Sequence, residues 1–224
     1  MHIPDGFLSG GINAAGFAVS AGVISLALAK AKKKLEDRYI PLIGVTAAFI
    51  FAAQMVNFPV AGGTSGHFLG AALAAMLLGP LTGCLIISIV LIVQCLGFAD
   101  GGITALGTNI FNMGVIGCFS GYYIFTGLRK LLPKNPAVNI TAVSISAWMS
   151  VVLASVFCSL ELAFSGITPL KLVLPAMAGI HAIIGVGEAF ITAAVVSLVM
   201  KYRPDVMDFN RSYSNTGLIS GVKL

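Results

Sequence analysis

The residues best placed to do chemistry stand at the very start of the chain. A histidine at position 2 offers a divalent metal three linked nitrogens: the terminal amine of Met1, the peptide nitrogen of His2 and Nδ1 of the His2 imidazole. These close fused five- and six-membered chelate rings in one plane, which suits the square-planar preference of d⁸ and d⁹ ions. The fourth corner of the square needs a donor from elsewhere. Pro4 and Gly6 turn the chain sharply, so the head can fold back. His67 is the candidate donor, at the end of Ala61-Gly62-Gly63-Thr64-Ser65-Gly66 and just ahead of a short apolar run. Glycine-rich backbone held at membrane depth is tolerated where it lines a cavity, and a histidine there points to a functional site. From the residues alone a plainer reading stays open, with His2 an accident of the start and His67 a loop histidine bonded to a carbonyl.

Around that pair stand polar residues able to orient the rings, because ligand imidazoles usually donate their free N–H to a partner. Gln54, Asn57, Thr64, Ser65, Gln94, Asn109 and Asn112 are the candidates, with Asn109 first among them. The alternative for each is an interhelical hydrogen bond, typically under about 2 kcal/mol. Asp100, followed by Gly101 and Gly102, reads as a turn residue. Glu161, His181 and Glu188 are the other ionisable groups inside apolar runs, His181 and Glu188 being seven apart on one helix face. Such a set raises an intramembrane enzyme or a proton path. No nucleophile or zinc-ligand pair stands at a suitable spacing, so the three are expected to pair with one another or lie near the interface. Cys84, Cys95, Cys118 and Cys158 fit neither a zinc site nor a disulfide framework and read as small hydrophobes.

The elements that must position these residues are membrane spans. The chain is 58% hydrophobic and only 9% charged, against roughly 25% charged in a soluble domain. Each span takes about 20 apolar residues. Uncharged or nearly uncharged runs cover residues 8–29, 40–56, 68–79, 81–99, 109–128, 137–164 and 172–200, predicting an all-α membrane protein, a bundle of about seven transmembrane helices. The third run is too short to cross, so the loop before it is expected to dip into the protein. Twelve of the 13 lysines and arginines fall on one side, Lys171 being the exception, which puts the C-terminus in the cytoplasm and the N-terminus outside. No secretory signal precedes the first span, so the head, with Asp5 its sole charged side chain, is expected to cross with it. The net charge of +5 therefore reports topology, with no nucleic-acid partner implied. No phosphate-binding loop is present in the sequence, and an ATPase or other enzyme activity of its own is not expected. Small residues recur at helical spacing at Ala14, Ala18 and Gly22 and at Gly70, Ala71 and Ala75, and are expected to pack within the subunit.

Three segments together resemble the CbiM/NikM family, the substrate-specific membrane subunits of energy-coupling-factor transporters for cobalt and nickel. They are the opening Met1-His2-Ile3-Pro4-Asp5-Gly6-Phe7-Leu8, the stretch from Asn57 to His67, and Ala105-Leu106-Gly107-Thr108-Asn109. The likeness runs to about Arg203. It implies one transmembrane substrate-binding domain over residues 1–203, with the N-terminus tucked into the bundle, and a cytoplasmic tail over 204–224. It also implies that Met1, His2 and His67 bind Ni²⁺ or Co²⁺ as transported substrate, with no organic cofactor. The partners implied are a transmembrane coupling protein and cytoplasmic ATPases, with or without a small accessory membrane subunit, in a bacterial or archaeal cell membrane. Two other classes are a self-sufficient channel or secondary transporter, and an intramembrane enzyme using Glu161, His181 and Glu188. Four planar nitrogens, one a deprotonated amide, favour low-spin Ni²⁺ without excluding Co²⁺.

Overall fold

A computed structural model of the chain describes residues 1–34, 36–60, 64–133 and 135–207. Among these, eight α-helices follow the non-helical head. They are α1 (Gly10–Lys34), α2 (Ile40–Gln54), α3 (Ala71–Leu78), α4 (Pro80–Phe98), α5 (Leu106–Asn109), α6 (Gly117–Leu131), α7 (Pro136–Phe164) and α8 (Leu170–Tyr202). A π-helical segment, Ile110–Ile116, joins α5 to α6 without a break, so these act as one helix and seven helical bodies result. Four helices are long and apolar enough to cross a membrane: Gly10–Lys32, Pro80–Phe98, Val138–Phe164 and Leu170–Tyr202. Large apolar side chains such as Val45, Leu96, Ile183 and Phe190 face outward from the helices, as a lipid-facing surface requires.

Local chemistry sets the helix starts. Pro41, Pro80 and Pro136 stand in first turns, where the missing N–H breaks no hydrogen bond. Asn135 caps α7 by accepting from the Val138 N–H at 2.8 Å. The short α3 is the centre of the molecule: all eight of its residues are buried, enclosed by α4, α6, α7 and α8. An eight-residue helix of alanine, leucine and methionine has no polar face, and only burial on every side suits it.

Two sequence expectations are corrected here. The glycine-rich run is partly strand: β1 (Phe58–Val60) and β2 (Thr64–Gly66) form an antiparallel hairpin with Phe58 opposite Gly66 and Val60 opposite Thr64. A segment that enters a helical bundle must pair its backbone groups with something, and here it pairs with itself. The small residues Ala14, Ala18 and Gly22 lie on an exposed face of α1. The face that packs carries Gly16 and Ser20, with the Ser20 hydroxyl donating to the Gly107 carbonyl at 2.7 Å. A Cβ on Gly107 would stand 2.5 Å from the Phe17 Cα, so glycine there is what lets α1 and α5 approach. Gly70, Ala71 and Ala75 do pack inside, as expected.

At the far end, the turn Pro204–Val206 returns Val206 and Met207 to the core. Residues 61–63 of the glycine run, Lys134 of the basic loop and residues 208–224 of the expected tail lie outside the described residues.

Candidate metal centre

The head folds back into the bundle as a plug. Met1, His2 and Ile3 are buried, while Asp5 and Gly6 emerge at the surface, where Gly6 turns with a positive φ of 83°. Backbone bonds fasten it. Asn109 clamps Ile3 on both sides, accepting from its N–H at 2.9 Å and donating to its carbonyl at 3.1 Å. The Gly102 N–H donates to the same carbonyl at 2.9 Å. A side chain on Gly102 would collide with the Pro4–Asp5 backbone, so the loop can lie against the head only with glycine there. Asp5 accepts from both the amide and the hydroxyl of Thr104, and those bonds hold its carboxyl below the usual range.

The second half of the site is the segment that carries His67 from β2 into α3. Glu188 of α8, itself buried, accepts from the N–H groups of Leu69 and Gly70, both at 2.7 Å. Gln54 donates to the Leu69 carbonyl at 2.7 Å. The His67 Nδ1 lies 2.7 Å from the Phe68 carbonyl. A carbonyl only accepts, so Nδ1 carries the proton and Nε2 presents its lone pair.

Head and loop meet with nitrogen against nitrogen. The Met1 amine lies 2.6 Å from His67 Nε2. With metal–nitrogen bonds of about 2 Å, neighbouring corners of a square stand about 2.8 Å apart, close to this separation. One oxygen, Ser65 Oγ, lies 3.2 Å from the Met1 amine, 3.1 Å from the His2 peptide nitrogen and 3.5 Å from His2 Nδ1. The three nitrogens of the chelate thus converge around one point. The two imidazoles stack, with centroids 4.6 Å apart and planes 19° apart. His2 Nε2 faces Gln94 Oε1 at 3.1 Å and Nδ1 faces Asp100 Oδ1 at 3.1 Å, so both ring nitrogens meet an oxygen acceptor, and Nδ1 must let go of Asp100 to become a lone-pair donor.

Burial pulls the Met1 amine down to about 5, against the opposing influence of Cys158 and Asp100. At neutral pH it is therefore an uncharged donor with a free lone pair. Asp100 lies with Oδ1 3.1 Å from His2 Nδ1, and its Oδ2 accepts from Asn57 at 2.9 Å. Burial pushes the Asp100 carboxyl up, but the bond and charge of His2 outweigh it and hold the group below its ordinary value. An open cavity of about 480 Å³ leads to this point, lined by His2, Asp5, Asn57, Ser65, Asp100 and Ile103 among others.

Of the orienting candidates, Gln94 and Ser65 touch the chelating groups directly. Asn109 holds the head, Gln54 holds the His67 loop, and Asn57 acts through Asp100. Thr64 and Asn112 turn elsewhere, to Met177 and Glu161. Asp100 is more than the turn residue its glycine neighbours suggested. The sequence signal was slight: with Asp5 it is one of two acids in the loops nearest the head. Glu161, His181 and Glu188 do not pair with one another: Glu161 meets Asn112, His181 meets the Met177 carbonyl, and Glu188 holds Leu69 and Gly70.

Residues 2–206 match the family model CbiM, described as the cobalt uptake substrate-specific transmembrane region. The chain belongs to the CbiM family. A relative from Archaeoglobus fulgidus, with the provisional name of a fused nickel transport protein NikMN, is 41% identical over 210 residues, covering 93% of this chain and 68% of its own. The cobalt transport protein CbiM of Geobacter sulfurreducens is 32% identical over 217 residues, covering 92% of this chain and 61% of its own. The crystal structure of a truncated transition metal transporter superposes with a TM-score of 0.83 at 33% identity, covering 90% of this chain and 99% of that one. Like these, this CbiM-family chain is a multi-pass membrane protein.

Proposed function

We propose that this protein captures Ni²⁺ or Co²⁺ for transport, with the ion held by the Met1 amine, the His2 amide nitrogen, His2 Nδ1 and His67 Nε2. The observation that carries the reading is the 2.6 Å approach of the Met1 amine to His67 Nε2, with the His67 ring proton directed away from the meeting point. The amine and His67 Nε2 then need no proton removed at neutral pH, His2 Nδ1 exchanges Asp100 for the ion, and the amide of His2 gives up its own proton as the metal binds. The names of the relatives support nickel or cobalt as the substrate. The open cavity at His2 and Asp100 supports arrival of the ion from the head side, and the distribution of basic residues supports an outward-facing head. Residues 1–203 would act as the substrate-binding unit of an energy-coupling-factor transporter. A coupling protein and cytoplasmic ATPases would supply the driving force, since a chelate of this kind releases its ion slowly without work.

The test is calorimetric titration of the purified protein with Ni²⁺ and Co²⁺ side by side. Tight binding of one ion per chain is expected, lost in His67→Ala and in His2→Ala with the fold retained. Wild-type affinity in His67→Ala overturns the ligand set.

A further inference from the structure

A third imidazole stands beside this site with a nitrogen uncommitted. His181 of α8 is completely buried. Its Nδ1 lies 2.8 Å from the Met177 carbonyl, one turn back along the helix, and so carries the ring proton. Its Nε2, the lone-pair nitrogen, has no hydrogen-bond partner among the described residues. A buried polar atom without a partner is penalised and in a native protein calls for an explanation.

Two contacts lay the segment carrying His67 along the helix that carries His181. The Thr64 hydroxyl reaches Met177 Sδ at 2.9 Å, and the Leu69 and Gly70 amides reach Glu188. The segment carrying His67 therefore runs alongside α8 from Met177 to Glu188. That stretch of helix rises about 16 Å, which five residues cover only when nearly extended. His67, between those two anchors, thus lies within about one helical turn of His181 in height. Met177, His181, Gly185 and Glu188 form one buried face.

We infer that His181 Nε2 is a further metal-binding nitrogen, which takes the ion together with His67 when the head lets go. The inference rests on the ligand set proposed above. The exchange breaks the three bonds from Met1 and His2 to the metal and forms one from His181, with water taking up the remaining positions on the ion; the His2 amide recovers its proton from water, and the hydroxide left is neutralised by the bulk solvent that the open cavity admits. Nothing is oxidised or reduced. The exchange replaces a planar chelate containing an anionic amide with two neutral imidazoles, a weaker and more labile set, as departure of the ion requires. Met177 matters to it too, since its carbonyl fixes the ring so that Nε2 is the available nitrogen.

The test uses the full-length chain and its His181→Ala and His181→Gln variants, all checked for an unchanged melting temperature. Ni²⁺ affinity should stay within about threefold of wild type, while Ni²⁺ uptake by cells expressing the complete transporter falls at least tenfold in both variants. In a His2→Ala background, Co²⁺ at high concentration should still give a weak visible d–d spectrum from His67 and His181, and adding His181→Gln should erase it. Uptake within twofold of wild type, or a residual Co²⁺ spectrum indifferent to His181, overturns the inference. If His181→Gln melts and binds as wild type but His67→Ala also binds normally, the ligand set itself has failed.

Discussion

The two halves of the site are both irregular backbone inside a helical bundle, and they are secured in opposite ways. The head is held by buried but neutral bonds between Asn109 and Ile3 and, at the surface, by Asp5 on an exposed loop. The His67 segment is held deep inside by a carboxylate that spans two consecutive amides, with Gln54 on the carbonyl between them. The exposed Asp5 bonds compete with water and contribute little, and Asn109 covers one buried N–H, whereas removing Glu188 strands two. The difference teaches a division of labour: His67 is a fixed post, and Met1 with His2 is a latch that closes on it.

The comparison breaks first at the latch. Acetylating Met1, or adding an uncleaved segment before it, turns the amine into an amide and removes a corner of the square. Nickel uptake by cells carrying the whole transporter should fall at least a hundredfold with no change in melting temperature, while a C-terminal tag is harmless. Equal uptake at equal expression would show that the amine is not a ligand. At the post the order of effects reverses. Glu188→Ala strands two buried N–H groups at roughly 1–3 kcal/mol each, so thermal unfolding in detergent should show a loss of about 2–6 kcal/mol, with affinity lost alongside. Asn109→Ala strands one buried N–H, that of Ile3, whose carbonyl keeps the Gly102 bond, so it should weaken binding while moving the melting temperature less; similar melting shifts in both variants would erase the distinction.

Acid should sharpen it. An amine with an ordinary value near 8 that burial lowers to about 5 binds fewer protons docked than undocked throughout that window. Docking of the head therefore gains with rising pH and is weakened as pH falls from about 8 to 5. Acylation of the Met1 amine in the metal-free protein, scaled to the denatured chain, should be suppressed most at pH 8 and least near 5. Because the docked amine is already neutral, nickel binding between pH 6 and 8 should release about one proton, that of the His2 amide, rather than two or more. The smallest effect is expected at Asp100→Asn, which removes a charge from His2 Nδ1 but no ligand: a few-fold change in affinity, read in the same titration.

Much of this was legible beforehand, and the reasons are local. The runs of apolar residues marked the helices because a membrane leaves no other way to satisfy the backbone, and His2 announced its chemistry by position alone. Ser65 and Gln94 could be named as orienting residues because they flank the ligands in sequence or share their apolar surroundings. Asp100 and Glu188 could not be placed, since their roles depend on which loop folds against them. Asp100 meets His2 across 98 positions of chain and Glu188 meets Leu69 across 119, distances at which no spacing rule operates. The hairpin was hidden for a similar reason, because Phe58–Val60 is too short to show a strand period. The exposed Ala14, Ala18 and Gly22 show that small-residue spacing identifies a close-packing face without saying whether that face is used within the chain.

The π-helical segment Ile110–Ile116 has a consequence for anyone editing this protein. An α-helix turns by about 100° per residue, and a π stretch takes one more residue to complete its turn. The segment therefore takes up one extra residue between two gear trains while keeping them in phase. Before it, Gly107 and Asn109 mesh with α1 and the head; after it, Gly117 and Gly121 mesh with α3, where a Cβ added to either would stand 2.7 and 2.8 Å from the Cβ atoms of Ala71 and Ala72. Seven π residues turn the chain through roughly 600°, much as six α residues do. Deleting one residue from 110 to 116 and closing the segment to an ordinary helix would therefore keep the two trains in phase. Forcing all seven residues into α-helix would instead turn Gly117 and Gly121 away from α3 by about 100°, drive bulkier neighbours into its alanines and disengage the head's anchor from the core.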